Sequence, residues 1–389
     1  MINFEPSDDQ RALIETVRAF VDRELIPLEP NILRRASEGE PFGLTREENS
    51  ALQAKAKLSG LWGVDTPEEY GGAGLGWVEQ ALIHMELNRS FVRFKFGGSA
   101  YQQLFDATDE QKANYLIPTL EGDKISCFAL SEDGGGSDAH KIRTTAVRRG
   151  DDWVINGEKV WITYGNEADW AFVICRTPEE PEGGTTAFLV DRDMGWKSSP
   201  IKMMGSIDLA SLTFTDVVVP ASSQFGEVGA GMKYAMQFIH RNRAVLVPSR
   251  QAGSCQRLIE IGLDWASSRR TMGKPLIERE NIAFALAECE VELRALKLLT
   301  LHASWTYDSG RDPRQAANSV KFFGANAANR IVDRVVQMHG AMGLAQESPV
   351  ERYYRDLRVE RIHDGSDEMQ LIGIIKGLAK GAVKPGELW

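Results

Sequence analysis

"TTAVRRGDDWVINGEKVWIT", residues 144–163, is the stretch on which the fold turns. Valine, isoleucine, threonine and tryptophan alternate with polar residues here, the period-two pattern of a half-buried strand. Gly150-Asp151 and Asn156-Gly157 are both hairpin signals. "DWAFVICRT", "TTAFLVDRD" and "ASLTFTDVVVP" continue at strand length with turn residues between them. The spacing predicts a compact antiparallel β-domain over about 124–230. Upstream, "DDQRALIETVRAFVDREL" places Leu13, Ile14, Val17, Phe20, Val21 and Leu25 three and four apart, one stripe of a helix. Residues 1–123 therefore read as an N-terminal helical domain. After "GEVGAGM" the helical period returns. "NIAFALAECEVELRALKLLTLHASWTYD" and "AANSVKFFGANAANRIVDRVVQMHG" are each long enough to pack side by side in a bundle, which gives a third domain over 231–389. The class is α+β, in the order helices, strands, helices.

Composition narrows the function. A chain of 389 residues at 43% hydrophobic can bury more than one core. A formal net charge of −10 without a basic run argues against nucleic acid as a partner. The apolar runs are too short to span a bilayer. "MINFEPSDDQ" lacks the basic and apolar regions of a secretory signal, so a cytoplasmic location is expected. Four cysteines without a CxxC pair fit reduced thiols. The six histidines show no metal-ligand spacing, and no metal is expected. "GGAGLG" (71–76) and "GEVGAG" (226–231) are not GxGxxG between a strand and a helix, and βαβ alternation is missing. That argues against a Rossmann site. A P-loop and a GxSxG elbow are also absent from the sequence.

Three clusters carry candidate chemistry. In "CFALSEDGGGSDAHKIRTTA" (127–146) a strand runs into an acid, three glycines, Ser137 and Asp138. Such a loop lets backbone N–H groups approach a ligand, or it is a plain turn. In "KVWITYG" (159–165) Trp161 and Thr163 share one face of a strand, suited to a flat heterocycle or to cross-strand packing. "RVERIHDGSDEMQLIG" (358–373) sets Asp364 before a glycine, with Asp367 and Glu368 following. Asp364 either caps the next helix or acts as a base.

Taken together these segments resemble the acyl-CoA dehydrogenase family. "ALSEDGGGSD" resembles its first signature, with Asp133 where proline is usual, and "QMHGAMGLAQESPVERYYRD" (337–356) resembles the second, with Ala341 where glycine or serine is usual. "SSRRTMGKPL" (267–276), "TPEEYGGAG" (66–74) and "KVWIT" also have counterparts, in order, along essentially the whole chain. The resemblance implies a helical N-terminal domain, a middle β-domain and a C-terminal four-helix bundle. It also implies bound FAD, an acyl-CoA substrate, a homotetramer built from dimers, and an electron-transfer flavoprotein as acceptor. By similarity, Phe128, Leu130, Ser131, Trp161 and Thr163 hold the flavin ring, and Ser137 lies near the pyrophosphate and the CoA. Arg269, Thr271 and Met272, with Gln337, Gly340 and Ala341, match contacts to the ADP half. Ser366 and Glu368 match further cofactor positions, and Glu280 stands where many relatives have glutamine. "HRNR" (240–243) resembles the substrate-side turn, with His240, Arg243 and Gly365 on the substrate.

The implied reaction is α,β-dehydrogenation: a carboxylate removes the α-proton while the β-hydrogen leaves as hydride to flavin N5. Relatives place a glutamate within a Tyr-Glu-Gly-Thr-like stretch, where this chain has His363-Asp364-Gly365-Ser366. Asp364 is the implied base, with a side chain shorter by one C–C bond, roughly 1.5 Å. Some branches place the base on the helix before the substrate turn. The matching Asn242 cannot ionise. The alternative readings are a related flavin oxidase or CoA-ester reductase on the same fold, or a non-catalytic flavin or acyl-CoA binder. Peroxide release in air would mark an oxidase, and failure of acyl-CoAs to bleach the flavin would mark a binder. "NRSFVRFKFGGSAY" (88–101) resembles the helix lining the acyl pocket. Phe91, Phe94 and Phe96 could narrow it, and Arg89, Arg93 or Lys95 could meet an acidic acyl end. The ordinary reading of such residues is core aromatics and solvent-reaching cations.

Overall fold

The N-terminal stripe forms as its spacing predicts. In the computed structural model, which describes residues 5–98, 100–178, 184–205 and 209–388, a helix spans Asp8–Phe20 and continues through a π-helical turn, Val21–Leu25. Val17, Phe20, Val21 and Leu25 are buried. Ser7 starts it: its side chain accepts from Gln10 N while the Gln10 side chain returns to the Ser7 amide. That exchange satisfies two otherwise orphaned donors. Thr45 with Glu48 repeats the device ahead of Arg46–Leu58.

By contact the chain falls into two units. The first takes residues up to Val64, Gly74–Phe94 and His240 onward. Its core is a set of long helices: Val247–Ser268, Glu280–Asp308 and Arg314–His339 pack against one another, and Asp367–Ala379 packs on Arg314–His339. The helix Trp77–Leu87 packs on Val247–Ser268 and Glu280–Asp308. Its N-terminal amides are capped from far along the chain, with Asp308 accepting from Trp77 N (2.8 Å) and Val78 N (3.0 Å).

The second unit, Asp65–Ala73 and Lys95–Ile239, is built on one sheet. Its strands are β1 (Ser126–Ala129), β2 (Thr145–Arg149), β3 (Asp152–Thr163), β4 (Trp170–Arg176), β5 (Thr185–Asp191), β6 (Lys197–Ile201), β7 (Leu209–Pro220) and β8 (Gln224–Phe225). They run in the order β6-β7-β3-β2-β4-β5-β8, with β1 beside β4. Most pairs are antiparallel, as the hairpin spacing predicts. β1 instead runs parallel to β4, because no hairpin joins the two. β4 is buried on both faces: Trp170, Phe172 and Ile174 enter one cluster, and Ala171, Val173 and Cys175 the other. This explains why "WAFVIC" reads as a continuous apolar run rather than an alternating one.

The two hairpin signals part company. Gly150 (φ +63°) and Asp151 do link β2 to β3, closing on the Arg149–Asp152 pair. Asn156-Gly157 makes no turn; it lies inside the twelve-residue β3 at a register shift against β7. The cause is a partner on β7: Asn156 donates to Asp216 Oδ1 (3.1 Å) and accepts from Asp216 N (2.8 Å). At φ +143°, with the space for a Cβ already filled by Thr144, Gly157 has no substitute there. All four cysteines are unpaired and buried. Among the described residues no helix is long and apolar enough to cross a membrane.

Candidate functional site

In the sheet unit, β1 and β3 are neighbours, and the loop after β1 is fastened to β3. Val160 N donates to Ser131 O (2.9 Å), and Lys159 Nζ donates to Leu130 O (3.0 Å) and Glu132 Oε1 (2.8 Å). Glu132 also accepts from the amides of Arg143 and Thr144, so one carboxylate closes both ends of the loop. Lys159 is 0% exposed. Burial works against a charge on Glu132, but Lys159 and the amide donors outweigh it and hold the carboxyl below its usual range. Sequence reasoning assigned Lys159 no role, since nothing in "EKVWIT" distinguishes a buried lysine from a solvated one.

Beyond Lys159 the strand turns a large side chain outward. Trp161 sits at φ +61°, within a second register shift of β3, and is 56% exposed. Thr163 is also exposed, with buried Ile162 between them, so the two share a face as their spacing predicts. A bulky L-residue held in the left-handed region costs about 1–3 kcal/mol, a strain found mostly at ligand sites. Phe128 is half-buried and stacks on Phe238 (4.6 Å) and Phe172 (5.7 Å). Leu130 is buried, Ser131 half-buried, and Ser137 exposed beyond the loop's glycines. The structure thus brings Phe128, Leu130, Ser131, Trp161 and Thr163 together and leaves Ser137 further along the loop. An exposed indole, a hydroxyl on the same face and a rigid backbone edge are what a flat, hydrogen-bonding ring such as isoalloxazine requires.

In the helical unit, Asp364 does not cap the next helix. The cap of Asp367–Ala379 is Ser366, in extended backbone; Asp364 lies two residues earlier, at φ +51°. Three side chains hold the peptide units around it with four hydrogen bonds. Arg243 Nε donates to Asp364 O, and Gln370 Nε2 donates to Asp364 O (3.3 Å) and Gly365 O (2.8 Å). Lys321 Nζ, fully buried, donates to Gly365 O (2.7 Å). Gly365 is at φ +89°, and a Cβ there would lie 2.4 Å from Arg243 Nη2, so only glycine fits. The carboxylate of Asp364 is half-buried, with Oδ2 3.1 Å from His363 Nδ1. His363 Nε2 lies 3.2 Å from Glu360 Oε2, and Glu360 also accepts from Arg250 (2.9 Å) and Gln251 (2.9 Å). Burial pushes Asp364 up, yet its hydrogen bond to His363 and the charges of His363, Arg250 and Arg243 hold it below the usual carboxylate range. It is a carboxylate at neutral pH.

Asp364, Gly365, Ser366 and Arg243 are therefore brought together, with exposed Glu368 one turn on. His240 is half-buried, and burial with the nearby Arg243 and Arg314 charges pushes its pKa down. Arg250, Lys321 and Glu360 were not foreseen. Glu360 and His363 at i, i+3 offered a signal; Arg250 and Lys321, far away in sequence, offered none.

The other predicted positions form a second, exposed group. Arg270–Thr271 and Lys274–Pro275 make a miniature hairpin. Its tip residues Met272 (φ +49°) and Gly273 (φ +80°) are left-handed, the geometry of two-residue loops. Met272 is 96% exposed. Gln337, Gly340 and Ala341, at the end of Arg314–His339, are exposed too. Trp265 joins the two sets: Arg269 lies over its ring (6.0 Å), His339 stacks on it (4.8 Å), and its Nε1 donates to Met338 O (3.1 Å). In the 88–101 segment, Phe91, Phe94 and Phe96 are core. Arg89 is buried and committed to Asp22 (2.9 Å) and Glu260 (3.0 Å). The ordinary reading holds for the three aromatics, whereas Arg89 departs from it: it is buried in ion pairs rather than reaching solvent. Lys95 lies over the Tyr164 ring (5.3 Å).

Three family models match in chain order: the acyl-CoA dehydrogenase N-terminal domain over residues 7–123, the middle domain over 127–217 and the C-terminal domain over 229–379. The chain is 33% identical over 385 residues to the short-chain specific acyl-CoA dehydrogenase, mitochondrial, of Homo sapiens, covering 95% of this chain and 90% of that protein. Among solved structures, butyryl-CoA dehydrogenase from Megasphaera elsdenii superposes with a TM-score of 0.87 at 27% identity, covering 97% of this chain and 100% of that one. An acyl-CoA dehydrogenase from Geobacillus kaustophilus gives 0.84 at 26%, with the same coverage. With all three domains matched and a full-length relative of this similarity, the chain belongs to the acyl-CoA dehydrogenase family and is an oxidoreductase.

Proposed function

We propose that the protein dehydrogenates the α,β bond of an acyl-CoA thioester with FAD as its cofactor and Asp364 as the base. The observation that carries this is the state of Asp364: an ionised, half-buried carboxylate, free of capping duty, with one oxygen held and its backbone clamped. Asp364 takes the α-proton of the substrate. The N–H groups near the clamped 364–365 peptide are fixed in place and suited to a thioester oxygen that gains negative charge. His240, Arg243 and Gly365 in the helical unit and Ser137 in the sheet unit are the proposed substrate contacts. A low pKa makes a weak base in water, but a bound acyl chain excludes water and raises a carboxylate's proton affinity.

FAD, when bound, supplies the hydride acceptor. Trp161 and Thr163 would hold its ring with Phe128, Leu130 and Ser131, and Ser137, Ser366 and Glu368 would contact it further along. Arg269, Thr271 and Met272, with Gln337, Gly340 and Ala341, would take its ADP half from a second copy of the chain. An L-methionine at a left-handed, almost fully exposed hairpin tip suits a position covered by a neighbour. Assembly as a homotetramer is supported by Phe284, Val291, Leu298 and Trp305, exposed at intervals of seven along one helix. An electron-transfer flavoprotein is the proposed acceptor, and the cytosol the proposed location.

The test is Asp364→Asn. The variant should keep its FAD and lose about 10²–10⁴-fold in the rate of flavin bleaching by butyryl-CoA, the range for a general base. An unchanged reduction rate removes Asp364 from the mechanism.

A further inference from the structure

The two ring nitrogens of His363 face different company. Nδ1 meets only an acceptor, Asp364 Oδ2 at 3.1 Å. Nε2 meets both an acceptor, Glu360 Oε2 at 3.2 Å, and a donor, Arg250 Nη2 at 3.0 Å. A carboxylate accepts only and a guanidinium donates only. Nδ1 must therefore carry a proton in any satisfied state. Nε2 is satisfied in part either way: protonated, it donates to Glu360 and opposes Arg250; bare, it accepts from Arg250 and opposes Glu360. The partners assign the proton on Nδ1 and leave Nε2 as the nitrogen that titrates.

We infer that His363 is a positioning residue for the base: its Nδ1–H fixes Asp364 Oδ2 in both charge states, leaving Oδ1 to take the substrate proton, while the charge on Nε2 sets how basic Asp364 is. This rests on the proposed role of Asp364. The groups facing the ring are Asp364 and Glu360 from its own turn and Arg250 from the helix Val247–Ser268. Behind them lie Arg243 and Lys321, which clamp the 364–365 backbone, and Asp356, which acts on Arg250. Burial pushes the ring toward its neutral form, but the Glu360 charge and the hydrogen bonds to Asp364 and Glu360 outweigh it and hold the titration above the usual value. The sign follows. Below that raised pKa the cation weakens Asp364 as a base. As pH rises through it, Asp364 strengthens without losing its orientation, and proton abstraction speeds up.

Two substitutions separate orientation from charge. Asparagine can place an amide N–H near Nδ1 but cannot titrate; phenylalanine offers neither. Flavin reduction by butyryl-CoA should fall about 10–100-fold in His363→Phe, the cost of a base misplaced by about 1 Å. His363→Asn should stay within a few-fold of the parent and lose the pH step above 6.5. Independently of any substrate, side-chain ¹H–¹⁵N spectra should show His363, assigned by its loss in His363→Asn, passing from the cation to the Nδ1–H neutral form. Glu360→Gln should move that titration to lower pH. A neutral form protonated on Nε2, or a titration indifferent to Glu360→Gln, overturns the inference. So does His363→Phe with the parent's rate and pH profile while Asp364→Asn is inactive; an active Asp364→Asn instead brings down the proposed base itself.

Discussion

Glu132→Gln tests whether the loop after β1 is a rigid platform. The substitution keeps the side chain's shape but leaves Lys159, which has no solvent contact, with carbonyl-type acceptors alone. Removing one member of a buried ion pair typically costs about 3–5 kcal/mol, because the other charge stays desolvated. At about 2–4 °C per kcal/mol for a domain of this size, the melting temperature should fall by about 6–20 °C. Lys159→Met is expected to cost less, since the stranded Glu132 keeps the amide donors of Arg143 and Thr144. The pair Glu132→Gln with Lys159→Met should recover much of the loss, because no desolvated charge is left and the glutamine carbonyl can still accept from the loop amides. Thermal melts followed by circular dichroism give the four values of the cycle, and flavin absorbance per chain shows whether a loosened loop sheds FAD. A Glu132→Gln protein melting within about 2 °C of the parent would refute the reasoning, because it would mean that Lys159 loses its charge at little cost.

Gly365→Ala should lower stability by about 1–3 kcal/mol through its left-handed backbone, and should slow flavin reduction as Arg243 is pushed off Asp364. Melting temperature and single-turnover bleaching read the two effects. For pH, Glu360 and Asp364 both titrate below their usual values, so their stabilisation is complete above the unfolded pKa values and is lost as pH falls through the folded ones. His363 acts oppositely: its stabilisation is complete below 6.5 and is lost as pH rises through its raised pKa. The melting temperature should thus drop on the acid side, and Glu360→Gln should flatten that limb; an identical limb would contradict the assignment. Phe284→Arg with Leu298→Arg, on the exposed seven-residue stripe, should reduce the assembled mass seen by light scattering while each chain stays folded.

Much of this architecture is written locally. The stripe from Leu13 to Leu25, the alternation in β3 and the long apolar-faced C-terminal helices need only neighbours along the chain, since 3.6 and 2 are properties of the backbone itself. Trp161 and Thr163 could be placed on one face for the same reason. Asn156-Gly157 shows where that logic stops. A pair that favours a turn by itself became a bulge, because Asp216, sixty residues away, supplied both of its hydrogen bonds. Asp364 shows it again at the site. Its identity and its glycine neighbour were plain in the sequence, yet whether it capped a helix depended on Ser366 taking that place. One of its oxygens is held by the adjacent His363, but its clamped backbone, part of its charge and the partners of that histidine come from Arg243, Arg250, Lys321 and Glu360. Three of those four lie more than forty positions away from it. Short-range geometry therefore determined the kinds of element and the order in which they occur. Desolvation and long-range ion pairing, which exist only once the helices pack, decided what state the candidate base is in.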